Sequence, residues 1–134
     1  MRALFDANVL ISGLLSRAGA PAQLLAKWLE GEFELVVTDR LLAELEATLA
    51  RPKLRRHLDR GEAGGFLELL RSLAEWIDDP DVKPIISSRD PNDDYLIAAA
   101  ATAHATLVSG DAHLLELEGS IPVLTPRAFL DSLP

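Results

Sequence analysis

Short apolar runs alternate along this chain with segments whose apolar residues recur every three or four positions. The runs predict strands, and they lie at 2–5, 33–37, 106–109 and 122–124. The periodic segments, several of them opened by a proline suited to a first helical turn, predict helices. These helices lie at 8–15, 21–29 and 39–49, in a short segment from Pro52, along a stripe formed by Phe66, Leu69, Leu70, Leu73 and Ile77, from Asp90-Pro91 through His104, from Gly110-Asp111 to Leu117, and from Pro126 onward.

Strands that are separated by helices predict a parallel sheet with helices on both faces, which is an α/β fold. No repeat, low-complexity stretch or linker interrupts the pattern, and a length of 134 residues suits one domain, here 1–134. Ligands of such sheets bind outside the carboxyl ends of the strands. We therefore expect the functional residues at the positions where strands end.

The amino-acid composition excludes several kinds of site. Cysteine is absent, which excludes disulfides, cysteine-based zinc sites and thiol catalysis. The chain has 13 basic and 21 acidic residues and a net charge of −8, which argues against binding nucleic acid through the overall field of the protein. The sequence shows no secretory signal and no apolar run near the ~20 residues that a membrane span needs. A cytoplasmic domain is expected.

Four acidic residues fall where the predicted sheet would carry a site. Asp6 follows the first predicted strand, Asp111 follows the third, Asp94 lies near the start of the helix opened by Pro91, and Glu44 lies on the helix after the second strand. If they converge, their carboxylates repel one another and their pKa values rise unless a cation compensates. Oxygen ligands suit a hard cation such as Mg²⁺ or Mn²⁺, which can activate water and neutralise charge on a phosphodiester.

Three of these acids, and the neighbouring Asp93, also have a simpler structural interpretation, whereas Asp94 is less easily explained by capping. Asp6 and Asp111 both suit the N-cap position of the helix that follows. Asp93 suits the third helical position, where an acid favours the helix dipole. Glu44 alone is typical of a solvated helix flank. The sequence leaves both interpretations open, since only their joint placement on one edge is informative.

Four segments carry a resemblance to a known family. They read LFDANVLIS at 4–12, LLAEL at 41–45 followed by LARPKL at 49–54, DPNDDYLIA at 90–98, and LVSGDAHLL at 107–115. In this order they resemble the four acidic motifs of PIN-domain ribonucleases, and they span nearly the whole chain. The chain looks most similar to the toxin-like, VapC-type PIN proteins of toxin–antitoxin pairs.

The resemblance implies a three-layer α/β/α fold with a central, mostly parallel sheet of about four to five strands, and metal-dependent hydrolysis of RNA with Mg²⁺ or Mn²⁺. It also implies a small antitoxin as partner and a homodimer. The residues carried over by motif are the catalytic and metal-binding quartet Asp6, Glu44, Asp94 and Asp111, the supporting residues Asn8, Ser12 and Ser109, and the auxiliary acid Asp93. One position departs from the pattern. His113 stands where relatives usually have a second acid, and this puts a second metal site in question because histidine is a poorer ligand for Mg²⁺.

A basic stretch interrupts the otherwise acidic chain. Its members are Arg51, Lys53, Arg55, Arg56, His57 and Arg60. A charge run of this kind is commonly a solvated helical face. Alternatively, the five lysine and arginine side chains form a track for RNA phosphates beside the acidic site.

Other functions remain open at the level of the sequence. A haloacid-dehalogenase-like phosphatase would use Asp6 as a covalent nucleophile, but Asn8 stands where that chemistry wants a second acid, and Lys83 is the only candidate for its lysine. A phosphoacceptor receiver domain lacks its acid pair and late lysine here. A PIN domain that binds RNA or a protein with little or no cleavage is a further alternative.

Overall fold

Five parallel strands form one central sheet in a computed structural model that describes all 134 residues. The strand order is β3-β2-β1-β4-β5, and every neighbouring pair is parallel. The strands are β1 (Arg2–Phe5), β2 (Glu34–Val37), β3 (Glu75–Trp76), β4 (Thr106–Val108) and β5 (Val123–Leu124).

Eight helices connect and follow these strands. They are α1 (Ala7–Leu15), α2 (Ala20–Leu29), α3 (Asp39–Leu49), α4 (Pro52–Arg55), α5 (Arg60–Leu73), α6 (Asp94–Ala103), α7 (Ala112–Leu115) and α8 (Pro126–Ser132). No single helix is long and apolar enough to span a membrane; α1 and α2 reach that length only as a pair, and they are bent by 94° at the break between them.

Helices cover both faces of the sheet. Successive side chains of a strand point to opposite faces, and the neighbours Leu4 and Phe5 in the central strand are both fully buried. The apolar strand residues and the inner helix faces join in one core of 33 buried residues. The predicted three-layer α/β/α fold is therefore confirmed, with a sheet of five strands.

The segment around Ile77 differs from the prediction. The apolar stripe suggested one helix through Ile77, but α5 ends at Leu73 and the next residues form β3. β3 pairs in parallel with the end of β2, and the Ile77 N–H donates to the Val37 carbonyl at 3.1 Å. The assignment of Ile77 to the helix was wrong because a two-residue strand has no period of its own and forms only through a distant partner.

The helix that was predicted from Asp90-Pro91 begins in a different form. Asp90 caps a 3-10 turn at Pro91–Asp93, and the α-helix proper starts at Asp94. Such turns are frequent at helix N-termini. The change matters for the site because it decides which way the side chains of Asp93 and Asp94 point.

Candidate active site

Asp6 and Ser109 meet because β1 and β4 are neighbours in the sheet. The register pairs Phe5 with Val108, so the next residue of each strand, Asp6 and Ser109, lies at the same carboxyl edge. Asp6 is 7% exposed and Ser109 is fully buried. The Ser109 hydroxyl donates to Oδ2 of Asp6 and accepts the Asp111 N–H at 3.0 Å. Ser109 therefore links two acids that are 105 positions apart in the chain.

Asp6 and Asp111 each cap a helix and also lie at the edge of the sheet where a catalytic site is expected. Oδ1 of Asp6 accepts the Val9 N–H at 2.9 Å and caps α1. Oδ1 of Asp111 accepts the His113 N–H at 2.9 Å and caps α7. Each bond fixes a carboxylate at the end of a strand, where it satisfies a helix N–H that has no partner within the helix.

Burial and neighbouring charges raise the pKa of Asp6. Burial is the largest cause, and the hydrogen bonds from Ser109 and Val9 oppose it. The charges of Asp111 and Glu44 raise the pKa of Asp6 further. Two of the other predicted acids thus lie near enough to Asp6 to act on its carboxylate.

Asp93 joins this group. Burial and the charge of Asp111 raise the pKa of Asp93 to about 6, and the charges of Asp90 and Asp6 contribute to the same shift. Oδ2 of Asp93 is buried and has no hydrogen-bond partner. The sequence assigned Asp93 only an auxiliary role, whereas the structure places it among the interacting carboxylates.

Asp94 is not brought into this group. Its Oδ1 accepts the Ser88 N–H at 2.9 Å, and its side chain lines a hollow beside Tyr95 and Arg40. Residues that follow one another in a helix point about 100° apart, since a turn holds about 3.6 residues. Asp93 and Asp94 therefore face different surroundings, a distinction that two adjacent acids in a sequence do not reveal.

Glu44 is held by Tyr95, an aromatic residue of the third motif segment to which the sequence assigned no role. Oε2 of Glu44 accepts the Tyr95 hydroxyl, and burial together with this bond raises the pKa of Tyr95. The Arg40 guanidinium lies 4.2 Å from the centroid of the Tyr95 ring. Two signals could have indicated the arrangement: Arg40 and Glu44 are four residues apart on α3 and so share a helix face, and Tyr95 is the only tyrosine of the chain.

The remaining predicted residues are exposed around the site or beyond it. Asn8 and Ser12 lie on the exposed side of α1. His113 is exposed, with Nδ1 4.0 Å from Oδ1 of Asp111. All five basic residues of the stretch on and around α4 are exposed, and none forms an ion pair within 4.0 Å; they are Arg51, Lys53, Arg55, Arg56 and Arg60.

The largest hollow lies elsewhere. It measures about 490 Å³ and is lined by Arg2, Glu34 and Glu75, which stand at or next to the starts of three strands. This is the edge opposite to the carboxylates. Its size alone does not connect it with their chemistry.

The donor set fits a hard divalent cation in its chemistry. As the side chains stand, no three acidic or histidine residues are arranged to hold a metal ion. However, the pKa values of Asp6 and Asp93 are raised and Oδ2 of Asp93 is buried without a partner, so the group lacks compensating positive charge. Carboxylate oxygens without thiolates are the ligands that Mg²⁺ and Mn²⁺ prefer.

Asp93→Asn is expected to stabilise the metal-free protein at neutral pH. Because the pKa of Asp93 is raised, the folded state holds this proton more tightly than the unfolded state does. The bound proton therefore contributes fully to stability below the ordinary pKa of 3.8, and this contribution is lost as the pH rises through about 6. With a discount for partial exposure, the substitution should raise the free energy of unfolding at neutral pH by about 1 kcal/mol, or the Tm by a few degrees. Thermal melts in EDTA at neutral pH and near pH 4 measure it.

The gain should shrink towards acid, where the wild-type carboxyl is protonated. Asp78→Asn, at an exposed acid, serves as the matched control and should leave the Tm unchanged at both pH values. A Tm for Asp93→Asn that is lower than, or equal to, that of the wild type at neutral pH would contradict the electrostatic account.

A parallel five-stranded sheet with a group of carboxylates at its carboxyl edge defines an α/β domain whose candidate site lies at the ends of its strands. The sequence model of the PIN domain matches residues 2–113, so the chain belongs to the PIN-domain family, whose members are nucleases. This confirms the resemblance drawn from the four motifs. None of the curated proteins matches the sequence significantly.

Solved structures agree in fold. A chain in the crystal structure of VapBC2 from Rickettsia felis, bound to a DNA fragment from their promoter, superposes with a TM-score of 0.64 at 16% identity, covering 93% of this chain and 98% of that one. PAE2754 from Pyrobaculum aerophilum gives a TM-score of 0.62 at 18% identity, covering 98% of this chain and 88% of that one. At these identities the likeness concerns the fold alone.

Proposed function

We propose that this protein is a divalent-metal-dependent endoribonuclease and the toxin component of a toxin–antitoxin pair. The observation that carries the proposal is the group of acidic side chains at the carboxyl edge. The Ser109 hydroxyl joins Asp6 to the backbone of Asp111, the charges of Asp111 and Glu44 raise the pKa of Asp6, and the charges of Asp111 and Asp6 raise the pKa of Asp93. Such a group is costly unless a cation is bound, and it lies where ligands of parallel sheets bind.

Asp6, Asp93 and Asp111 would hold Mg²⁺ or Mn²⁺. When bound, the ion supplies an activated water and neutralises charge on the phosphodiester. Asp94 is the residue that the motif resemblance points to as a ligand, but its charge contributes to the raised pKa of neither Asp6 nor Asp93, and its side chain lines the hollow beside Tyr95. The unpartnered Oδ2 of Asp93 makes Asp93 the better candidate for that role.

The protein's own side chains orient the reaction. The Ser109 hydroxyl holds Asp6 at Oδ2, and the Val9 N–H holds it at Oδ1, so this carboxylate has one fixed direction. The Tyr95 hydroxyl occupies Oε2 of Glu44 and leaves Oε1 free. Oε1 of Glu44 is therefore the atom that accepts the proton of the attacking water. Asn8 and Ser12, exposed on α1, would serve as supporting polar residues near the metal.

The partners follow from the same proposal. The structural likeness to a chain of the VapBC2 complex from Rickettsia felis supports a small antitoxin as partner. A homodimer and a cytoplasmic location belong to this proposal as well. His113 is exposed near Asp111, where it would serve Mn²⁺ better than Mg²⁺.

The phosphatase alternative is disfavoured by Asn8. That chemistry uses Asp6 as a covalent nucleophile and wants a second acid where Asn8 stands. The side chain of Asn8 is an amide and cannot exchange a proton as a second carboxylic acid would.

A cleavage assay on labelled single-stranded RNA tests the proposal. With Mg²⁺ or Mn²⁺ we expect internal cuts, and an aryl phosphate ester in parallel reactions should remain intact. Release of phosphate from the ester together with a trapped aspartyl-phosphate on Asp6 would establish the phosphatase instead. RNA that is bound but stays uncut under all metal conditions would identify a binding module.

A further inference from the structure

A second hollow adjoins the carboxylates and belongs to no assigned site. It measures about 330 Å³ and lies between the starts of α3 and α6, where Arg40 and Tyr95 stand, with the segment 80–84 as its third wall. Tyr95 connects the hollow to the carboxylate group, because its hydroxyl donates to Glu44. An occupant of the hollow would therefore lie next to the residue that acts on the attacking water.

The walls of this hollow are anchored by specific hydrogen bonds. Oδ2 of Asp79 accepts the Arg40 N–H at 3.0 Å and ties the segment to the start of α3. Oδ1 of Asp94 accepts the Ser88 N–H at 2.9 Å and ties it to the start of α6. The segment between these two anchors is thus attached at both ends, and it holds Lys83 at the mouth of the hollow.

Two cations of the wall have no carboxylate partner. Arg40 and Lys83 are exposed, and neither forms an ion pair within 4.0 Å, although Asp81 and Asp94 line the same hollow. Arg40 and Lys83 thus bring two positive charges to the wall of this hollow, in a chain with a net charge of −8. Phosphate groups are the ligands that such cations recognise in RNA.

The same walls offer flat and apolar surfaces. The Arg40 guanidinium lies over the half-buried Tyr95 ring, 4.2 Å from its centroid. Pro84 and Pro91 complete the apolar part of the lining. Unstacked bases of single-stranded RNA stack on aromatic rings and on arginine planes, and they form hydrogen bonds along their edges. The Asp81 and Asp94 carboxylates provide acceptors for exocyclic amino groups of a base.

We propose that this hollow is a subsite for one nucleotide of single-stranded RNA next to the bond that is cut. Its phosphate contacts Arg40 and Lys83, and its base lies against the Arg40–Tyr95 pair. The proposal rests on the proposed ribonuclease function and adds to it the residues that hold the substrate. It also shifts the expected RNA contact from the exposed stretch on α4 to the walls of this hollow.

Binding of RNA without cleavage tests the role of the two cations. The parent is the Asp6→Asn variant, and the probe is a short fluorescently labelled single-stranded RNA followed by anisotropy in Mg²⁺ at several salt concentrations. Arg40→Ala with Lys83→Ala should raise the Kd roughly tenfold at low salt and make the salt dependence shallower by about 0.7 for each phosphate that is no longer neutralised. Lys53→Ala with Arg55→Ala removes the same charge from α4 and should leave the Kd unchanged.

Two further variants test the stacking. Tyr95→Phe keeps the ring and should retain the affinity for RNA. Tyr95→Leu removes the ring on which the Arg40 guanidinium lies and should weaken the affinity roughly tenfold, the effect of losing one stacking partner. Equal affinities of the leucine and phenylalanine variants would overturn the stacking of a base on the Arg40–Tyr95 pair. Thermal melts of every variant, compared with the parent, exclude a loss of folding as the cause.

Failure of this proposal is distinct from failure of the proposed function. An unchanged Kd for the Arg40 and Lys83 double variant overturns the subsite, and so does an effect confined to the α4 pair. Wild-type protein that leaves RNA uncut in every metal condition overturns the nuclease function, and the anisotropy comparison still decides whether the hollow binds RNA.

Discussion

Asp6→Asn should abolish RNA cleavage and leave the protein folded. Asp6 is the most enclosed of the interacting carboxylates, and the substitution removes its charge while it keeps the size of the side chain. The amide oxygen of asparagine can still accept the Val9 N–H, so the cap of α1 is retained. We expect the rate of cleavage to fall at least roughly 100-fold. Changing a residue that only supports a metal ligand costs up to about this factor, and Asp6 is itself a proposed ligand.

The cleavage assay should be accompanied by thermal melts and by two matched variants. Asp131→Asn makes the same chemical change at an exposed position of α8 and should cleave RNA like the wild type. Asp6→Ala should lose cleavage and also about 1 kcal/mol of stability, because it removes the cap. Cleavage at the wild-type rate by a folded Asp6→Asn protein would exclude Asp6 from the reaction.

Chelation of divalent ions should remove cleavage completely, and Mg²⁺ or Mn²⁺ should restore it. The reason is electrostatic, since the raised pKa values of Asp6 and Asp93 show a carboxylate group without a compensating charge. A cation that binds only the folded state also stabilises it, by about 2.7 kcal/mol at a concentration of 100 times its Kd. Melts with and without the ion should therefore differ by several degrees.

The effect of the ion should depend on pH. Protons compete with the cation for carboxylates, so the stabilisation by Mn²⁺ should weaken as the pH falls through about 6, where Asp93 takes up its proton. The Asp6→Asn variant should show a much smaller shift in Tm with Mn²⁺ than the Asp131→Asn control. Full cleavage activity in excess EDTA would mean that the carboxylates act without a metal.

Capping and catalysis coincide at this site for a structural reason. A carboxylate that ends a strand and begins a helix is fixed by the N–H groups of the first turn, as Asp6 and Asp111 are. The fixed direction is useful for binding a cation, because no side-chain freedom is lost in the process. The two interpretations that the sequence left open for these acids are therefore two consequences of one position.

The adjacent acids Asp93 and Asp94 show a limit of prediction from local sequence pattern. Their neighbourhood predicts a helix start, and it does so correctly, but the 3-10 turn before α6 determines the direction of each side chain. Burial and the charge of Asp111 then raise the pKa of Asp93, while Asp94 binds Ser88. The difference arises from contacts across the fold.

The order of amino acids was enough to predict the alternation of strands and helices, the parallel sheet and the placement of Asp6 and Asp111 at strand ends, because apolar periodicity and capping residues act over a few neighbouring positions. Three features arise only when the chain is folded: β3 forms, Asp93 joins the carboxylate group, and Tyr95 holds Glu44. These features depend on pairs that are distant in the chain, such as Glu44 and Tyr95 at a separation of 51 residues. No local period encodes such a contact, since it exists only once the sheet has brought the ends of its strands together.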